Sequence, residues 1–547
     1  MLEELTRIGC DVLIIGSGGA GLRAAIAARE AGADALLVSK SPLGFATCTM
    51  YAAAAFAFAV VGGMTEEEHF EATMRTGRGL NDEKLVRILC QEGPAAVREL
   101  ERFGVELRYG RAGADTRPYV THPLRGGEGI TREMVAYARR IGVRVQDRVI
   151  IVELLKQDGE IGGAIGLDGR TGDLFCYETR AVVLASGGVG ALFPRTDNPL
   201  GITGDGYALA YQAGAPLQDM EFVQMYPTGV AEGNRPTVMI PLSYMDFCPI
   251  TNVEGKEFLR AKMEELGIKD GREANLYMRD LATRAIGLEI YKGRGESGAV
   301  LMDFSQVTAE QCEKHRILGY LMEKLLRRFP HREQPLHVAP VAHHTMGGVR
   351  IDESGASDRP GLFCAGEVTG GVHGANRRGG NALTDTMVFG RRAGEAAADW
   401  ARKRRETTSR PVTALTEAKD RLKRLITQGR GSGCSPQEWR DAVRRVAGDD
   451  LFIVRSEEGL KEALQRFEEL GRETVSATRP RELMTLLEAR NLLAVGELIA
   501  RAALYRQESR GAHFRIDYPE QQDDEWSGHI LLQKTLEGVK VSFNEQV

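Results

Sequence analysis

The feature that most constrains this chain is Gly16-Ser17-Gly18-Gly19-Ala20-Gly21, a Gly-x-Gly-x-x-Gly run between two dissimilar hydrophobic segments. Before it, DVLIIG is a continuous apolar run that reads as a buried strand. After it, LRAAIAAREAG carries small apolar residues at helical spacing, closes at Gly32, and is followed by a second strand, ALLVSK. Alone, such a glycine run says little; between strand and helix in a β-α-β unit it is a dinucleotide fingerprint. Gly16 makes the tight turn, Gly18 lets the backbone approach a pyrophosphate, and Gly21 lets helix and strand pack closely. The helix N-terminus then faces the phosphates. The second strand ends in Ser39-Lys40 instead of an acid, so the ribose is held differently from the simple fingerprint.

Counting fingerprints separates FAD from NAD(P). A flavoprotein that draws electrons from NAD(P)H within one chain carries a second glycine run after another strand. The strand AVVLASGG is followed by VGALF, which is not that run. One dinucleotide, FAD, is therefore expected, and no NAD(P) domain. The eight cysteines form no CxxC pair and show no zinc or iron–sulfur spacing, so no metal site is expected. Scattered thiols fit a reducing compartment. Lys and Arg number 71 against 76 Asp and Glu, a net charge of -5 that argues against nucleic acid as a partner. The first residues, MLEELTRIGC, include acids and no apolar core of a signal peptide. Ser41 to Met64 is uncharged and long enough to span a bilayer, but Pro42, Gly44, Gly62 and Gly63 interrupt it. It reads as a buried segment packed on the cofactor.

The rest of the chain divides by pattern. Strand signals recur at RVIIVELL and AVVLASGG. Residues 219–335 mix loops with helical runs such as RDLATRAIGLEIYKG, and 336–400 return to glycine-rich loops before the helix FGRRAGEAAADWARKRR. A charged run and Pro411 read as a linker. Residues 413–509 are helical by period, in LTEAKDRLKRLI, EEGLKEALQRFEEL and RELMTLLEARNLLAVGELIARAAL.

Taken in order, GSGGAGLRAA, SKSP, ASGG, TGDGYALAYQAGA, DMEFVQMYPTG, RDLATRAI, HHTMGG, LFCAGE, GANRRGGNALTDTMVFGR and ESRGAHFRIDYPEQQDDEW resemble the succinate dehydrogenase/fumarate reductase flavoprotein family over nearly the whole chain. That family includes L-aspartate oxidase and flavin-dependent reductases of other unsaturated acids. The resemblance implies an α/β fold: a Rossmann-like FAD-binding domain (1–218 and 336–400), an inserted capping domain (219–335), a helical domain (413–509) and a short C-terminal domain (510–547). It also implies roles. Gly16, Ser17, Gly18, Gly19, Ala20 and Gly21 form the pyrophosphate loop, and Ser39 and Lys40 the adenosine-side strand end. Thr47, Cys48, Thr49 and Ala53, with Asp205, Glu367, Asn381, Ala382 and Leu383, make further FAD contacts. Arg279 in MRDLATRAI shuttles the proton, and His343 and Arg377 hold a substrate carboxylate.

The chemistry stands without the family. Making or breaking a C–C double bond beside a carboxylate needs a hydride partner at one carbon and a proton partner at the other. Fixed cations near the carboxylate stabilise developing enolate charge, and the planar fork of arginine suits a carboxylate. An arginine that donates a proton is unusual, because its free pKa exceeds about 12. A desolvated site among other cations is what that role requires.

Departures from the family pattern narrow the substrate. Tyr226 stands where the family carries histidine, and Ile240-Pro241-Leu242-Ser243-Tyr244-Met245-Asp246 stands where it carries Thr-Glu and an Arg-Gly-Glu run. The half-site for one carboxylate survives in His343, Arg377 and Arg279. The other half, at Tyr226 and Ile240, has become aromatic and apolar, which points to a non-standard, monocarboxylic acid and counts against aspartate oxidase. The histidine that bonds flavin in membrane-bound members is absent from GFATCTMYAAAAF, so FAD is expected to be non-covalent, with Cys48 as the alternative attachment point.

Three readings follow: an FAD-dependent oxidoreductase on the CH–CH bond of a carboxylic acid, a true succinate dehydrogenase or fumarate reductase subunit with rearranged contacts, and an electron-transfer flavoprotein subunit without turnover of its own. Retention of Arg279, His343 and Arg377 disfavours the third. Electrons must leave the flavin for another carrier, so an iron–sulfur or other electron-carrier subunit is the expected partner. The expected location is cytoplasmic, with any membrane association made through partner subunits.

Overall fold

The computed structural model describes residues 5–116, 126–157, 159–231, 237–325, 333–404, 417, 420–421 and 433–545. Its first sheet is five-stranded and parallel, in the order Leu362–Cys364, Ala181–Leu184, Val12–Ile15, Ala35–Ser39, Arg144–Asp147. Val12–Ile15 is buried on both faces, as its unbroken apolar run demands. The fingerprint turns from this strand into the helix Gly19–Glu30. A long helix, Asn381–Lys403, lies across that helix at close range. A Cβ at Gly394 would sit 2.3 Å from the Ala24 carbonyl oxygen, so the small residues of both helices are what permits the contact.

A second sheet, Leu5–Gly9, Leu174–Glu178, Glu160–Asp168 and Val149–Gln157, leans on the first. The uncharged segment after Lys40 does not span anything. It forms the short helix Cys48–Tyr51 and the strand Ala55–Ala57, and its residues wall a cavity. Among the described residues, no helix is long and apolar enough to cross a membrane.

The capping unit has its own core, built around Ile240, Cys248, Ile286, Met302 and Val338. Its sheet runs Val223–Val230, Leu336–Thr345, Val300–Met302, Ile250–Thr251. The boundary expected at 335 therefore moves. Leu336–Thr345 pairs antiparallel with Val223–Val230 and belongs to the cap sheet, because its inward residues Leu336 and Val338 complete the cap core. The glycine-rich HHTMGG motif is thus the exit from the cap, with His343 and His344 still on the strand.

Three helices, Pro436–Asp450, Glu457–Arg472 and Pro480–Tyr505, make the helical region. The run LTEAKDRLKRLI and the linker at Pro411 lie largely outside the described residues. The 510–547 stretch is not a free-standing unit. Its hairpin, Gly528–Thr535 with Gly538–Glu545, extends a sheet with Leu217–Gln218 and Gly348–Val349. The ESRGAHFR motif before it is buried with Arg506, which pairs with Glu221 at 2.6 Å and with Glu508 at 3.0 Å. Ala512 donates its N–H to the carbonyl of Ala375 at 2.9 Å, which pins the loop that carries Arg377.

Candidate active site

One cavity of about 560 Å3 runs from the glycine fingerprint to the underside of the cap. Of the residues expected from sequence to contact FAD, Gly16, Ser17, Gly18, Gly19, Ala20, Ser39, Lys40, Thr47, Cys48, Thr49, Ala53, Asp205, Glu367, Ala382 and Leu383 line it. Two expected residues do not. Gly21 lies behind the wall, where a Cβ would meet the Gly16 carbonyl oxygen at 1.8 Å, so it serves helix–strand packing as the fingerprint requires. Asn381 turns inward to His69 Nε2 at 2.8 Å and to Thr73, so it supports the wall from behind.

The cradle suits a dinucleotide. Gly16 has φ +111°, and a Cβ there would lie 2.3 Å from the Ala185 carbonyl oxygen. The helix Gly19–Glu30 opens into the cavity with Gly18 as its N-cap; the Gly19 N–H donates to Thr49 Oγ1 at 2.9 Å, and the N-cap itself supplies no side chain, which leaves the end of the helix suited to phosphate. Ser186 also lines the cavity, and its buried hydroxyl has no partner among the described residues. Such an orphan is costly unless a ligand satisfies it. The Ser17 and Ser39 hydroxyls bond each other at 2.8 Å, and Ser17 Oγ also accepts the Gly44 N–H at 3.1 Å, which joins turn, strand end and following loop.

Lys40 has a different duty from cofactor contact alone. Its ammonium lies 2.6 Å from Asp205 and 2.9 Å from Glu488, and donates to Thr203 Oγ1 at 2.6 Å. It ties the helical region to the cradle floor. Cys48 sits in the wall, and burial pushes its thiol well above the usual range.

At the cap end the cavity turns cationic. Arg377 Nη2 donates to His343 Nε2 at 2.8 Å and to Gln224 Oε1 at 3.1 Å. His343 Nδ1 lies 2.7 Å from Asp197 Oδ2. Since Nε2 accepts from arginine, Nδ1 must carry the ring proton and donate it to Asp197. Burial lowers the His343 pKa, with Asp197 opposing and the two arginines assisting. Burial likewise pulls the Arg377 guanidinium down to about 9, helped by the like charge of Arg279.

Arg279 opens the cap helix Arg279–Tyr291 and reaches into the same cavity. Its Nε donates to the Asn275 carbonyl at 2.8 Å, and its guanidinium carbon lies 5.0 Å from the centre of the Tyr226 ring. Burial lowers its pKa too. Tyr226 lines the wall, but its hydroxyl is spent: it accepts the Leu242 N–H at 3.1 Å and donates to Asn275 Oδ1 at 2.8 Å. It orients Arg279 and Asn275. Ile240 is not in the wall. It is fully buried in the cap core, with its backbone bonded to Thr228, while its neighbours Thr237, Val238, Met239 and Pro241 face the cavity. Apart from an isolated bridge at Met239 this stretch is not a strand, and its local path decides which residues show, which sequence alone did not set. Arg378 and His373 also stay out of the wall; Arg378 Nη2 contacts the Met64 sulfur at 3.3 Å.

Sequence reasoning missed Asp197, Gln224, Asn275 and Ser186. Ser186 and Gln224 lie inside recognised motifs, but nothing local marks Asp197 as the partner of a histidine 146 positions away.

A Rossmann-like cradle that opens directly onto buried cations defines an FAD-dependent oxidoreductase. Comparison agrees. Residues 11–383 match the FAD binding domain family, and residues 440–547 match the fumarate reductase flavoprotein C-terminal family. The chain is 40% identical to one subunit of the fumarate reductase (CoM/CoB) of Methanothermobacter marburgensis, over 96% of this chain and 98% of that one. Among solved structures, Mycobacterium smegmatis Sdh1 in complex with UQ1 superimposes with a TM-score of 0.85 at 33% identity, over 99% of this chain and 95% of that one. A point variant of E. coli quinol fumarate reductase gives 0.87 at 27% identity over 99% and 97%. The chain belongs to the succinate dehydrogenase/fumarate reductase flavoprotein family.

Proposed function

We propose that the enzyme interconverts a carbon–carbon single and double bond beside a carboxylate, on a substrate with one carboxylate and an uncharged far end. The observation that carries this reading is convergence: Arg377, His343 and Arg279 meet at one end of the cavity whose other end is the dinucleotide cradle. FAD, when bound, supplies the hydride acceptor or donor. Arg377 and His343 bind the substrate carboxylate and polarise the adjacent bond. Arg279, anchored at Nε by Asn275 and stacked on Tyr226, exchanges the proton at the second carbon. Its desolvation, and the second guanidinium of Arg377 in the same cavity, lower the cost of releasing that proton.

The far wall presents Val238, Met239 and Pro241. Burying a second carboxylate there without a cation costs several kcal/mol. The name borne by the Methanothermobacter marburgensis relative favours a second reading, in which fumarate is the substrate and its far carboxylate is met differently. Because relatives are named as subunits, we assign this chain an iron–sulfur or similar electron-carrier partner.

Steady-state assay of the holoenzyme with a reduced viologen dye, fumarate and a panel of monocarboxylic enoates separates the readings. The first expects an enoate with an apolar far end to exceed fumarate in kcat/KM by about a hundredfold. Fumarate turnover at micromolar KM would replace it with the second.

A further inference from the structure

The charges around His343 come from every element that meets it. Arg377 arrives from the loop before the long helix, Arg279 from the cap helix, Tyr226 from the paired strand and Asp197 from the loop below; His344 is its chain neighbour and Glu367 lies beyond. Tyr226 is neutral, since burial raises its pKa, and His344 is neutral, since burial holds it well below the imidazole range. Burial pushes Glu367 up to about 7, and its Oε1 accepts the Thr345 N–H at 3.0 Å. Two guanidiniums therefore face one carboxylate, Asp197, together with the partial charge of Glu367. Asp197 is itself buried, with Oδ2 on the His343 ring and Oδ1 accepting from Asn198 Nδ2 at 2.8 Å.

We infer that Asp197 sets the charge of substrate this site accepts: by neutralising one of the two guanidiniums it leaves room for a single carboxylate, and a dicarboxylate enters only together with a proton that makes His343 an imidazolium.

A buried charge without a partner costs several kcal/mol, so the occupied site must be close to neutral. A monocarboxylate achieves that with His343 left as it is, protonated on Nδ1 and accepting on Nε2. A dicarboxylate brings one negative charge too many. His343 is the group placed to correct it, because Asp197 already accepts its Nδ1 proton and a new proton on Nε2 would point toward Arg377 and the carboxylate that displaces it. Asp197 stands in the cavity wall beside His343 and acts as a positioning residue through that ring. Nothing in the glycine fingerprint or the arginine motifs carries this information.

The inference rests on the carboxylate site proposed above, and its test separates the two. Oxidised holoenzyme is titrated calorimetrically with succinate and with butyrate, each in two buffers of different ionisation enthalpy, to count protons taken up on binding. Wild type is expected to take up about one proton with succinate and about none with butyrate, and its succinate Kd to rise about tenfold per pH unit above neutrality. In Asp197→Asn, proton uptake with succinate should fall below half, and the ratio of butyrate Kd to succinate Kd should rise at least tenfold. A structural disturbance alone would weaken both acids alike and leave that ratio unchanged. Equal proton uptake for both acids in wild type overturns the inference while leaving the carboxylate site standing. Uptake that persists in Asp197→Asn places the proton at Glu367 and overturns the role given to Asp197. Binding of butyrate without any binding of succinate overturns the inference and leaves the carboxylate site standing, whereas failure of both acids to bind removes the carboxylate site and the inference together. The wild-type proton count needs no variant, so poor folding of Asp197→Asn does not rescue the idea.

Discussion

The guanidinium of Arg279 rests over the ring of Tyr226, its carbon 5.0 Å from the centroid, while both residues are tied to Asn275, one through its backbone carbonyl and the other through its side-chain oxygen. Tyr226 therefore holds Arg279, the proposed proton donor, in place. A cation over an aromatic face gains about 2 kcal/mol when desolvated.

Tyr226→Phe should keep that stacking but strand the Leu242 N–H and the Asn275 amide, at a cost of about 1–3 kcal/mol. Turnover is expected to fall about tenfold with flavin content unchanged, whereas Tyr226→Leu should fall further. Equal rates for Tyr226→Phe and wild type would show that Asn275 needs no such anchor.

Arg279→Lys and Arg279→Ala should bind flavin normally and lose about 100- to 10,000-fold in kcat, the usual range for removing a general acid. Flavin absorbance together with the dye-coupled rate provides the check. A variant with near-wild-type kcat would move the proton duty elsewhere.

Lys40, Asp205 and Glu488 form a buried ion cluster across the joint between cradle and helical region. Removing Lys40 by Lys40→Met leaves Asp205 without its cation, while Glu488 keeps Arg440 at 3.2 Å, and should cost about 3–5 kcal/mol. The pH dependence follows from the same contacts. Burial alone would raise the Asp205 pKa, but Lys40 outweighs it and holds the carboxyl below 3.8, so this stability is present above that value and lost as pH falls through the lowered one. Burial alone would lower the Lys40 pKa, but Asp205 and Glu488 outweigh it, so its share is complete below 10.5 and lost as pH rises past the raised value. Thermal unfolding across pH should show a plateau between those limits that Lys40→Met abolishes.

Acid precipitation should release all the flavin into the supernatant. The Cys48 thiol is held in its neutral form by burial, and a neutral thiol is a poor nucleophile. Fluorescence left on the denatured polypeptide would point to a bond at Cys48.

Much of this was legible in the chain because it is local. The β-α-β unit at 11–40 follows from an apolar run, a glycine turn and a small-residue helix, each a nearest-neighbour property. Gly16 and Gly21 behave as the fingerprint demands, since the contacts that exclude a Cβ lie within their own supersecondary unit or on the adjacent strand end. The cap boundary was misplaced because strand pairing is a long-range choice: Leu336–Thr345 looks like the start of a glycine-rich loop region until it meets Val223–Val230.

The amino-acid order by itself determined the dinucleotide fold, the family, and the polar groups Arg279, His343 and Arg377, because these reside in contiguous motifs whose chemistry survives out of context. Tertiary structure alone decided what those groups face. It turned Ile240 into the core and its neighbours into the cavity, spent the Tyr226 hydroxyl on the backbone of Leu242, and brought Asp197 within 2.7 Å of His343. The reason is physical: the charge balance of a buried site is a sum over side chains from distant segments, and only the packed chain brings them within the few ångströms at which they interact.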